Sequence, residues 1–160
     1  MFQLSVAALS SLCAAVVLTT PAAHAQNPLP DVGSYAVTQR QAIAVTPVEH
    51  AHLMTEMNDF MKAVHGIHTA LAAKDFGTVA TLATAMGPKG GKHDAVGKAV
   101  HDKLPKDWFA LAKPTHQAFL AVAQEAASPT ASVESVVGKL ATTTQQCVAC
   151  HAAFKLTVAP

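Results

Sequence analysis

Apolar side chains recur along this chain in alternating steps of four and three residues. Leu53, Met57, Phe60, Val64, Ile67 and Leu71 form one such series. It draws a single stripe down a helix. Thr46 followed by Pro47 supplies an N-cap and a first-turn proline, so the helix starts there. Met54, Met61 and His68 flank the stripe on one side. Asp75 caps a second helix that turns Phe76, Val79, Leu82 and Met86 inward, and Gly87-Pro88 stops it. A Gly-rich basic turn covers 89–92, and a shorter helix covers 94–103. A third main helix over 106–127 carries Trp108, Leu111, Thr115, Phe119 and Val122, with a kink or restart expected at Pro114. Ser128-Pro129-Thr130 ends it. Ser132 caps the last helix, whose stripe is Val133, Val137, Leu140, Thr144, Cys147, His151, Phe154 and Val158. With short connections and no strand pattern, the expectation is an all-α four-helix bundle over residues 46–160.

The first 45 residues follow other rules. Residues 4–18 are apolar apart from three serines and carry no charge. Thr19-Thr20-Pro21 breaks the run, and Ala23-His24-Ala25 offers an A-x-A cleavage site. Residues 1–25 therefore read as a secretory signal peptide, and the run is short for a membrane span. The rival reading is an uncleaved anchor helix, since no Lys or Arg precedes the run. Cys13 leaves with the peptide. Residues 26–45 contain Pro and Gly without a clear period and read as a flexible leader.

Cleavage after Ala25 takes 25 of the 160 residues and leaves 135, enough for one domain with one modest core. Eleven basic residues face ten acidic ones. That balance argues against a nucleic-acid partner, which calls for a basic face. Arg40 is the only arginine.

Two cysteines remain in the exported chain, in the run Cys147-Val148-Ala149-Cys150-His151. Three residues apart on a helix, their side chains diverge, which strains a disulfide. A thioredoxin-like reading wants a βαβ setting and a cysteine at a helix N-terminus. A zinc reading wants about four ligands, and only His151 stands beside the cysteines. C-x-x-C-H is also the attachment signature of c-type haem. Each sulfur can add to one vinyl group, and His151 can supply the proximal iron ligand. Export suits this reading, because that attachment takes place outside the cytoplasm. The stripe implies that Cys147 and His151 face the core, with Cys150 beside them.

On these residues, and on the tail Ala152-Ala153-Phe154-Lys155, the chain resembles the class II c-type cytochromes, the cytochrome c′ and cytochrome c-556 family. The resemblance is specific over residues 147–155 and loose elsewhere. It implies one covalent haem c per chain, lying between helices, with His151 on one side and a first-helix residue on the other. It implies electron transfer with redox partner proteins, or binding of small gases when the sixth position is empty, and family members often form a homodimer through the first two helices. The signal peptide adds a periplasmic location with no membrane association after cleavage. The chain departs from the family in having no arginine beyond residue 40 and in the connection over 87–105.

A Met thioether on iron raises the potential and blocks ligand entry. Met57 lies mid-stripe in the first helix and nearest the family's distal position, with Met54 and Met61 as fallbacks. Core packing is the competing role for each, because Met fills gaps well. His52 or His68 could instead make a bis-histidine site, and His116 could reach a haem propionate. With no acid–base pair in view, the chain reads as an electron carrier and not an enzyme. The alternative is a five-coordinate haem protein that binds nitric oxide or carbon monoxide, and a third is a haem-free thiol- or metal-binding bundle.

Overall fold

The computed structural model describes residues 39–88 and 94–159. The expected signal peptide, most of the expected leader, the basic turn at 89–92 and His93 lie outside the described residues. The chain is predominantly helical. Its elements are β1 (Gln41–Val45), α1 (Pro47–Ala72), α2 (Phe76–Ala85), α3 (Ala95–Lys103), α4 (Lys106–Ala126), α5 (Val133–Ala153) and β2 (Phe154–Val158).

Helix starts follow local chemistry. At α1, Glu49 N–H donates to Thr46 Oγ1 at 3.3 Å, and Thr46 N–H donates to Glu49 Oε2 at 2.8 Å. This reciprocal box satisfies two amides that no helical carbonyl can reach. Asp75, Asp94 and Ser132 cap α2, α3 and α5 through their side chains. The turn after α1 is a Schellman motif: Asp75 N–H donates to Ala70 O and Lys74 N–H to Leu71 O. Lys74 adopts the left-handed conformation the motif requires, at φ 56°. Pro114 sits inside α4, which runs through it without a restart. Thr115, Phe119 and Val122 are all buried just beyond it, and their packing holds the helix across the missing amide.

α1 packs on α2 and α3, α2 on α4, and α4 on α5, whereas α1 and α5 are not close-packed along their length. Gly66 lets α1 approach α2, since a Cβ there would lie 2.8 Å from Leu82 Cδ1. The larger core cluster joins Ile67 of α1, Val79 of α2, Phe119 and Val122 of α4, and Val136 of α5. Burying each such side chain stabilises the fold by roughly 1.5–3 kcal/mol before the entropy of ordering is counted.

Three expectations change. Gln41–Val45, placed by sequence in the leader, and Phe154–Val158, placed in the last helix, are strands. They pair in parallel with Gln41 opposite Phe154 and Val45 opposite Val158. Ala159 N–H extends the ladder by donating to Val45 O at 3.0 Å. The buried face of α5 is also rotated from the expected stripe. Val136, Leu140 and Thr143 are buried, while Val137 and His151 are exposed and Thr144 is half-exposed. The strands build a second cluster: Ile43, Val45, Leu53, Val100 and Phe154, with Trp108, Leu111 and Cys150 packed against it. The Trp108 and Phe154 rings meet at 5.4 Å, tilted by 52°.

Candidate functional site

The C-x-x-C-H run occupies the last two turns of α5, directly before β2. Cys147 and Cys150 are free thiols, both half-buried. The Cys147 thiol donates to Thr143 O at 3.6 Å, the carbonyl one turn earlier. Thr143 is itself fully buried and donates through Oγ1 to Lys139 O at 3.1 Å. Cys150 packs against the second cluster. Burial pushes the Cys147 thiol up. Burial, and then the neighbouring Cys147, push Cys150 up to about 11. Both sulfurs are therefore neutral thiols at neutral pH.

His151 follows on the exposed side. Burial on α5 tracks Val136, Leu140, Thr143, Cys147 and Cys150, and His151 stands about 100° around the helix from Cys150. This corrects the expectation that His151 faces the core. It still lies one turn beyond Cys147 on the same strip of the helix. Among the described residues nothing hydrogen-bonds its imidazole. Its carbonyl accepts from Arg40 Nη1 at 3.5 Å, across 111 residues of chain. Sequence had set Arg40 aside as part of the leader; only the strand pairing brings it here.

On α1, Met57 is half-buried and shares a face with Leu53 and Phe60. Met54 and Met61 are 42% and 66% exposed, so the helix turns both fallback residues toward solvent. His52 lies 3.7 Å from Glu56, and His68 Nδ1–H donates to Val64 O at 2.9 Å on the exposed face. His116 Nδ1–H donates to Met86 O at 2.8 Å, which ties α4 to the end of α2. Its ring lies 5.3 Å from Phe60, which stacks on Phe119 at 5.5 Å.

These residues suit a covalently held haem in three respects. The two thiols are separate rather than bridged. Both are half-buried, and Cys150 lies against apolar side chains where a vinyl group would be at home. The imidazole beside them is not engaged by a protein partner. Among the described residues, no three His, Cys, Asp or Glu side chains converge as a metal chelate. No described helix is long and apolar enough to cross a membrane. No family model, curated protein or solved structure matches the chain.

Proposed function

We propose that the chain is a periplasmic mono-haem c-type cytochrome built on a four-helix bundle, an electron carrier and not an enzyme. The observation that carries this is the C-x-x-C-H run with two unbridged, half-buried thiols and an unengaged imidazole on one helix. Cys147 and Cys150 would hold the haem through thioethers, and His151 would bind its iron. When bound, the haem supplies one-electron cycling between Fe(III) and Fe(II). The chain's own part is to orient the imidazole and to keep water from the Cys150 side through Trp108, Leu111 and Phe154. Met57 is the residue proposed for the sixth position, because it alone of the three first-helix methionines is turned inward.

The exposure of Met54 and Met61 favours one second reading. Without Met57 on the iron, neither neighbour is placed to replace it. The sixth position is then open, and the protein binds nitric oxide or carbon monoxide.

Intact mass of the exported protein after denaturation tests the main reading. One retained haem is expected in the wild type and none in Cys147→Ser with Cys150→Ser. A wild type without covalent haem, or a double variant that keeps it, sinks the proposal. The ferric spectrum separates the two versions: low-spin for an electron carrier with Met57 bound, high-spin for the gas-binding form.

A further inference from the structure

We infer that Arg40 is a positioning residue for His151, delivered to the end of α5 by the β1–β2 pairing; the inference rests on the haem reading above. The last four carbonyls of a helix have no helical donor. In α5 these include the carbonyls of His151, Ala152 and Ala153. Phe154 N–H returns to Cys150 O. The His151 carbonyl takes a side-chain donor instead, the guanidinium of Arg40 at 3.5 Å. That distance is at the long end of hydrogen bonding, so charge–dipole attraction supplies most of the contact. A cation beside a helix C-terminus is favourable on that ground alone.

The register makes the contact a built feature of the fold. Gln41 stands opposite Phe154, so the residue before the first strand meets the end of the helix before the second. Ile43 and Val45 are buried under the same ladder and fix how far β1 can slide. A one-residue slip would turn both side chains outward and carry Arg40 off the helix end. Arg40 therefore reaches His151 only when the whole clasp is closed. By attracting the carbonyl, Arg40 favours one orientation of the His151–Ala152 peptide plane, from which the His151 side chain departs. It also places the chain's only guanidinium next to the proposed proximal ligand. Two effects follow for the iron: a favoured imidazole orientation, and a positive charge that disfavours Fe(III) over Fe(II).

The test uses Arg40→Gln and Arg40→Lys in two forms of the protein. In the haem-free chain, the Ala152 amide nitrogen shares a peptide plane with the His151 carbonyl. Its NMR resonance should move in Arg40→Gln and return toward the wild-type position in Arg40→Lys. In the haem-loaded protein, Arg40→Gln should lower the midpoint potential, shifting the balance toward Fe(III). Arg40→Lys should restore most of that loss. An unmoved Ala152 resonance overturns the inference even if Arg40→Gln fails to load haem. A moved resonance with an unchanged potential and ferric spectrum overturns the positioning role. A wild type that carries no covalent haem overturns the haem reading itself, and the mass measurement shows this separately.

Discussion

Lys103 Nζ donates to Glu49 Oε2 at 2.7 Å, joining the last residue of α3 to the first turn of α1. The same carboxylate oxygen accepts the Thr46 amide. Lys103 foremost, and then the Thr46 backbone, hold the Glu49 carboxyl below its ordinary value of 4.5. A carboxyl depressed in the folded state lends stability above the unfolded value, and that stability is lost as pH falls through the folded value. Urea unfolding of the haem-free protein should therefore weaken from just above pH 4.5 downward, and less steeply in Glu49→Gln. Equal pH slopes in the two proteins would remove Glu49 from the account.

The thiols should be slow to alkylate in the folded haem-free chain. With Cys150 pushed up to about 11, iodoacetamide labelling there should climb steeply between pH 8 and 11. Cys147→Ser removes the second cause of that rise, so Cys150 should then label at lower pH. Burial remains, and the shift should be partial. Rapid labelling of Cys150 at pH 7 in the folded wild type would show that its surroundings are wetter than the packing implies.

Lys74 is the only non-glycine residue with positive φ among the described residues. Lysine bears a Cβ penalty there that glycine lacks, partly offset by glycine's greater freedom when unfolded. Lys74→Gly should stabilise the protein by about 0.5–1 kcal/mol. Thermal melts of the two forms decide it, and a lower melting temperature for the glycine variant counts against the Schellman reading.

In the proposed haem-loaded protein, Met57→Ala should abolish the weak red-edge charge-transfer band expected of a Met–iron bond in the ferric form and open the reduced, ferrous iron to carbon monoxide. Met54→Ala and Met61→Ala should leave the band in place, because both side chains face solvent. A wild type that binds carbon monoxide at once has no Met ligand. Loss of the band only in Met54→Ala or Met61→Ala would keep the helix and change the residue.

Four of the five helix starts were legible because each is written in a few adjacent residues: Thr46 with Pro47, Asp75, Asp94 and Ser132 are local signals. The phase of α5 was not. Val133, Val137 and Leu140 obey a four-three spacing as well as Val136, Leu140 and Thr143 do. Only the neighbour on which the helix packs chooses between them. The strand β2 was hidden by a coincidence of periods. Phe154 and Val158 lie four apart, which suits one helical turn or two strand alternations. Leu156 between them, flanked by Lys155 and Thr157, marks the alternation. β1 had weaker signals still, since Ala42 and Ala44 do little to separate its two faces. The cysteine motif was legible outright. The place of Arg40 was not, because no local pattern encodes a contact spanning 111 residues.

The β1–β2 ladder also imposes an order in time. Its partners lie more than a hundred residues apart, and Phe154–Val158 comes after every helix. A chain made from its N-terminus cannot close the ladder until residues 154–158 have been synthesised. Until then Cys150 lacks the Phe154 side of its apolar cover, and Arg40 has no helix end to hold. The interval before closure is when both sulfurs are easiest to reach, so its length sets a deadline for any chemistry performed on them.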